Sequence, residues 1–364
     1  MVVEIKDKNL YYVGGVVRDE ILGVPSLDTD FCYEGNAIDF ARAKGFEIVR
    51  ENPDFGTVRV LIDNKEVDIA STRTEIYPKK GHLPIVDNIG CALRDDLARR
   101  DFTINAMAKN TVTGEIIDYF GGLEDIKNKK IKVLHSDSFI DDPTRIIRAL
   151  KFAVRFGFKL DDATKKLQDE YLSKINYDMS YHRLKKELKE TFNLNNAEVY
   201  HNFVKQSIYK LLGPEQAVQP CNFEVIDFIR EVNPENIWLV YAGLYNLTRL
   251  ELTKTEQEII DNFNLIKNIK PESEYDIYCL FKNCPVESIL MYAFAVDFTV
   301  VKIFFKSLKN IRLELTGDDI CELGIKPGEI YRKIFDYLFE QKILGLLQTK
   351  EDELEAVRSK FLCG

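Results

Sequence analysis

Histidine is scarce in this 364-residue chain, occurring only at His82, His135, His182 and His201 and never in a His-x-x-x-His spacing. A histidine-built metal site is therefore not expected. The seven cysteines (Cys32, Cys91, Cys221, Cys279, Cys284, Cys321, Cys363) contain no Cys-x-x-Cys pair and read as reduced thiols. No apolar run is long enough to cross a bilayer, and the opening MVVEIKDKNLYYVGG lacks the charged-then-apolar pattern of a secretory signal. The expectation is a cytoplasmic protein with no membrane contact and no obligate protein partner. Positive charge is also in deficit, 50 Lys and Arg against 59 Asp and Glu. That balance excludes coating nucleic acid through total charge but leaves room for a local basic stripe.

What is present divides in two. From about residue 9 to 108, short β-like runs (YYVG, DTDFCY, TVRVLID, EVDIAST) alternate with the helical patterns AIDFARAKG and DFTINAMAKN. After DYFGGLEDI the β signals fade, and helical periodicity runs from Asp142 to the end. Joints in the helical part are expected at FNLNNAE, LLGPEQAVQPCNFE and NIKPESEY, where Pro, Gly and Asn cluster.

In YYVGGVVRDEILG, Gly14-Gly15 permits a tight turn between a strand and a helix that stops at Gly23. Free amides and the positive end of a helix dipole then face a place where phosphate can sit, with Arg18 one turn in. A ligand-free strand-turn-helix junction fits the same pattern. Asp28 and Asp30 follow at alternate positions, which on a strand project to one side. Two such carboxylates repel unless a cation lies between them, so they form a platform for Mg²⁺. The alternative is a solvated hairpin edge. Asp68 in KEVDIAS, opposite in facing to Val67 and Ile69, is a third candidate, able to position or deprotonate a hydroxyl. A plain surface aspartate is the competing reading.

GGVVRD, DTD, VDIASTRT, LARRDFTINAMA, DYFGG and DDPTRIIRALKFAVRF occur in that order, and with them the sequence resembles the class II tRNA nucleotidyltransferases. These are the CCA-adding enzymes, close relatives of bacterial poly(A) polymerases. The resemblance implies an α+β fold: a nucleotidyltransferase-type, polymerase beta-like mixed-sheet head at 1–120, then a helical neck at 121–192, body at 193–272 and tail at 273–364. It implies Asp28 and Asp30 as Mg²⁺ ligands with Asp68 as the third acid. Gly14, Gly15 and Arg18 would meet the triphosphate, and Arg100, Asp101 and Asn105 the phosphates and ribose. The implied reaction adds CMP and AMP from CTP and ATP to the 3′ end of tRNA, held by its acceptor stem and elbow, with release of pyrophosphate. A-adding, CC-adding and poly(A)-polymerase variants of that reaction stay open, as does a non-catalytic RNA-binding module.

Projected as a helix from Arg145, the segment TRIIRALKFAVRF places Arg148, Lys151 and Arg155 in one arc and Ile146, Ile147, Leu150, Ala153 and Val154 in another. The basic arc is the best phosphate contact in this acidic chain, although a solvated face has the same signature. Asp142 before Pro143 is also a natural N-cap. The resemblance assigns base reading to Asp142 and Arg145. Cytosine and adenine each present an exocyclic amine beside an unprotonated ring nitrogen, which a carboxylate and a guanidinium complement. Uracil and guanine leave groups unpaired at about 1–3 kcal/mol each. The usual Glu-Asp of the family is Asp141-Asp142 here. Between the Asp68 strand and RRDFTINAMA, the tip YPKKGHLP looks closer to relatives that add A alone. In the tail, Lys302, Lys306, Lys309 and Arg312 are a candidate grip for RNA.

Overall fold

The computed structural model describes residues 5–26, 29–219 and 221–362. They form two compact units, one of residues 1–218 with 246–251 and the other of 219–245 with 252–364.

The first unit opens on β1 (Leu10–Val13), α1 (Gly15–Leu22), β2 (Asp30–Tyr33), α2 (Ala37–Ala43), β3 (Glu47–Asn52), β4 (Thr57–Ile62) and β5 (Lys65–Ser71). A hairpin of β6 (Arg73–Ile76) and β7 (Ile85–Ile89) follows, then α3 (Leu93–Ala98), β8 (Met107–Asn110) and β9 (Ile116–Asp118). Seven strands make one mixed sheet in the order β3-β4-β5-β2-β1-β8-β9, in which only β2 and β5 pair in parallel. Strand alternation gives the sheet two unlike faces. Leu10, Phe31, Val58, Val60, Val67 and Ile69 point one way and bury against Ile38, Phe40 and Ala41 of α2. Tyr11, Val13 and Cys32 point the other way and meet Leu93 and Leu97 of α3. That second face is covered only in part, and it carries Asp30, Arg59 and Asp68.

One expected element is corrected. DFTINAMAKN is not a helix: Thr103–Asn105 make a single 3₁₀ turn and Met107–Asn110 form β8. The Asp101 carboxylate does not cap a helix but accepts from the amide of Phe102 and from the Asn105 side chain. Ala106, Met107 and Ala108 are all fully buried, and β8 lies between β1 and β9, so pairing on both edges overrides their helical propensity.

The helical remainder of this unit comprises α4 (Gly122–Lys127), α5 (Ser138–Asp141), α6 (Thr144–Phe156), α7 (Asp162–Ser173), α8 (Tyr181–Phe192) and α9 (Ala197–Lys205). The amphipathic α6 buries Ile146, Ile147 and Leu150 and ends on Gly157 in the left-handed region. The second unit is helical among its described residues, from Phe223–Val232 to Lys350–Val357. Its last helices enclose a core of Leu315, Ile320, Ile334, Leu338 and Val357. Of the basic tail residues, Lys302 pairs with Glu224, Lys309 lies over Phe305, and Arg312 donates to the carbonyls of Lys309 and Ile311.

Candidate active site

The parallel pairing of β2 and β5 sets Asp30 directly beside Asp68 on the partly open face. Val67 and Ile69 are buried on the opposite face, as the alternation of KEVDIAS requires. Asp28 lies outside the described residues. The Asp68 carboxylate accepts two hydrogen bonds from Arg59, at 2.7 Å from Nε and 2.8 Å from a terminal nitrogen. Among the described residues no three His, Cys, Asp or Glu form a ready metal cage. The oxygen-only donor pair of Asp30 and Asp68 nevertheless suits a hard cation such as Mg²⁺, and two carboxylates side by side call for positive charge between them.

Two cavities share Asp30, Arg73, Arg99 and Arg100 as lining. One of about 450 Å³ extends over Arg50, Arg59 and Asp68; the other, about 740 Å³, runs past Gly14 and Arg18 to α6 and α8. Gly14 has φ +69° and ψ −121°, a backbone conformation that favours glycine, and a Cβ there would stand 2.9 Å from the Arg100 guanidinium. Arg100 bonds Asp96 at 3.0 Å, while its buried Nε has no partner among the described residues. Arg18 is buried. It donates to Asp19 and to Asn105, and it lies over the rings of Phe152 and Phe156. Burial lowers its pKa against the opposing pull of Asp19. Asn105 in turn donates to Asp101 at 2.9 Å. Burial pushes the Asp101 carboxyl up, but Arg148 above all, with Asn105, holds it below the ordinary carboxylate value.

The wall facing the sheet comes from α6 and α8. Asp142 lies between α5 and α6, its Oδ1 accepting from the Thr144 amide at 3.1 Å and from the Thr144 hydroxyl at 2.6 Å. Its Oδ2 accepts from Arg183 at 2.5 Å, while Arg145 Nε stands at 4.0 Å. Arg145 is buried and donates to Ser138 Oγ, to the carbonyl of Arg99 and to Tyr77. The basic arc of α6 lines the larger cavity and is engaged by carboxylates, with Arg155 exposed at its far end. Arg148 bridges Asp101 and Glu187, Lys151 bridges Glu187 and Glu190, and Arg155 meets Asp19. Sequence reasoning missed Arg183 and Glu187. Their signal is the Ser-capped SYHRLKKE, where four-residue spacing puts both on one helix face.

The β6–β7 tip is strapped to the helices beside Asp142. Lys80 pairs with Asp141, and the Gly81 amide donates to the Asp141 carbonyl at 3.0 Å. The Ser180 amide donates to the Gly81 carbonyl at 2.9 Å, and Lys79 and His82 both reach Asp178.

A mixed sheet with paired acids on its open face, walled by helices that carry a carboxylate and a guanidinium, is the architecture of a nucleotidyltransferase. The family profile described as "Poly A polymerase head domain" matches residues 10–132. The chain is 30% identical over 388 residues to an A-adding tRNA nucleotidyltransferase of Halalkalibacterium halodurans, covering 97% of this chain and 89% of that one. It is 31% identical over 399 residues to another from Geobacter sulfurreducens, covering 96% of this chain but only 45% of that longer protein. Among solved structures, the Thermotoga maritima CCA-adding enzyme complexed with tRNA superposes with a TM-score of 0.78 at 27% identity, covering 96% of this chain and 90% of that one. The chain belongs to the class II tRNA nucleotidyltransferase family.

Proposed function

We propose that the protein transfers a nucleoside monophosphate to the 3′-hydroxyl of tRNA with release of pyrophosphate, in the cytoplasm, and that its product is the terminal adenosine. The observation that carries the transferase reading is the in-register pair Asp30–Asp68, of which Asp30 also lines the cleft that holds Asp142 and Arg145. In this reading residues 1–120 carry the chemistry and 121–192 read the base, while 193–272 and 273–364 grip the RNA. Gly14, Gly15, Arg100 and Asn105 receive the triphosphate and ribose. Asp30 and Asp68, with Asp28, would hold Mg²⁺, which supplies Lewis-acid polarisation of the phosphoryl oxygens. Asp68 also positions the attacking hydroxyl.

Two observations weigh toward adenosine alone. The relatives at 30–31% identity that match almost the whole chain are A-adding, and the hairpin tip is fastened to the helices that carry Asp141 and Asp142. A pocket that must change from C to A needs a wall that yields. Full CCA addition is the second reading, favoured by the chemistry of Asp142 and Arg145, which accommodates cytosine and adenine alike. The test uses tRNA transcripts ending before CCA, after C and after CC, with CTP and ATP supplied separately. Extension of only the CC-ended transcript, and only by ATP, is expected. CTP incorporation on either shorter transcript overturns adenosine-only addition, and no extension of any transcript overturns the transferase reading.

A further inference from the structure

Across the partly open face of the sheet, register lines up four charges in one row: Arg50 on β3, Arg59 on β4, Asp68 on β5 and Asp30 on β2. Two local devices build this row. The two-residue turn Asp63-Asn64, both at positive φ, fixes the β4–β5 register that puts Arg59 across from Asp68. A bulge between Ile48 and Arg50 then shifts the β3–β4 register by one residue. Without that shift, the pairing of Glu47 with Leu61 and Ile48 with Val60 would continue to Val49 opposite Arg59. With it, Arg50 stands there instead. Bulges re-aim side chains beside active sites.

The result is unfavourable taken by itself, because like charges directly opposite each other repel. Arg50 is exposed and has no ion pair among the described residues, while Arg59 spends its guanidinium on Asp68 and Glu66. Both arginines line the 450 Å³ cavity together with Asp30, Asp68 and Arg73. A pair of guanidiniums held side by side next to the reacting carboxylates is a receptor for a phosphate. Meanwhile the Arg59–Asp68 pair is about half exposed on both sides, the kind of ion pair that adds little to stability and exchanges easily.

We propose that Arg59 is an exchangeable cap on Asp68. A backbone phosphate near the 3′ end of the acceptor RNA, received between Arg50 and Arg59, draws the guanidinium off the carboxylate and leaves Asp68 to the metal and the attacking hydroxyl. Arg59 is thus a positioning residue that makes the acid triad respond to the presence of acceptor. This rests on the transferase reading of the site.

The test measures two equilibria on the full chain, with Arg59→Gln and Arg50→Gln variants and Arg59→Lys as the conservative control. Mn²⁺ binding is followed by electron paramagnetic resonance without nucleotide, and binding of a tRNA transcript by fluorescence anisotropy at several salt concentrations. Arg59→Gln is expected to bind Mn²⁺ at least about fivefold more tightly than the parent, the factor for losing one close competing charge in water. Arg50→Gln leaves Mn²⁺ affinity unchanged. Both lose RNA affinity, and the slope of its logarithm against log salt falls by about one. Arg59→Lys, lacking the two-pronged grip, falls between parent and Arg59→Gln in Mn²⁺ affinity. Adding the transcript tightens Mn²⁺ binding to the parent and not to Arg59→Gln. Unchanged Mn²⁺ affinity in Arg59→Gln, or an unchanged salt slope in Arg50→Gln, overturns the proposal. A parent protein that extends no tRNA transcript while both equilibria behave as expected would instead overturn the transferase reading.

Discussion

At the scale of single residues the cleft is saturated with charge, and most of its side chains already have partners. Asp30 and Asp68 are where removal of charge should matter most for turnover. Asp30→Asn or Asp68→Asn is expected to lower nucleotide addition by about 10²–10³-fold with tRNA affinity preserved, measured by steady-state addition and by anisotropy. Arg145 should matter for choice. Arg145→Ala is expected to narrow the preference for ATP over GTP by roughly tenfold or more, since one charged hydrogen bond is removed, as read from kcat/KM for the two nucleotides. Asp101 belongs to stability. Its carboxyl has a lower pKa folded than unfolded, so its contribution is fully present above the unfolded value of 3.8 and is lost as pH falls through the folded value. Asp101→Asn is expected to destabilise the protein by about 3 kcal/mol at pH 7, because Arg148 loses a buried partner. It should also flatten the fall in stability as pH drops below the unfolded value of 3.8, as followed by urea unfolding. The residues that share a local motif, Gly14 with Arg18 and Asp142 with Arg145, were legible in the sequence. Arg183 and Glu187 were not, because their roles depend on α8 lying against α6.

At the scale of elements, the strands and their facing followed from alternation alone: Val67 and Ile69 inward, Asp68 outward. DFTINAMAKN defeated the same method. Its composition favours a helix, and only the neighbours on both sides make Met107–Asn110 a strand. The bulge in β3 was equally hidden, since EIVREN carries no Gly or Pro to mark it. The β6–β7 tip offers a test of how far an element depends on one residue. Gly81 has φ +79°, and a Cβ there would lie 3.0 Å from Met179 Cβ and 3.1 Å from the Asp178 carbonyl. Gly81→Ala is expected to cost more than about 1 kcal/mol and to make the 77–84 tip more sensitive to protease, whereas Lys80→Ala should leave the tip protected. Equal protection in parent and Gly81→Ala would mean that the strap does not depend on this backbone conformation.

At the scale of the whole molecule, the division into a mixed-sheet part and a helical part could be seen from where β patterns stop. The interior of the second unit could not. Glu353 is fully buried there, paired with Lys342 and accepting from the amides of Glu314 and Leu315. Sequence offers no reason to bury that glutamate in KEDELEAV, a run that reads as a solvated helix. Glu353→Ala should destabilise the second unit by about 3–5 kcal/mol, seen as loss of hydrogen-exchange protection in residues 313–357 ahead of the first unit. The strap at Gly81 has a different bearing on the molecule. Two of its bonds, to the Asp141 carbonyl and from the Ser180 amide, run between main chains and take no account of side-chain identity. A tip held in this way can change its lettering while keeping its shape, provided one glycine stays in place. Two enzymes with dissimilar loops can therefore hold the pocket alike, which makes the spelling of YPKKGHLP a poor index of which nucleotide is added.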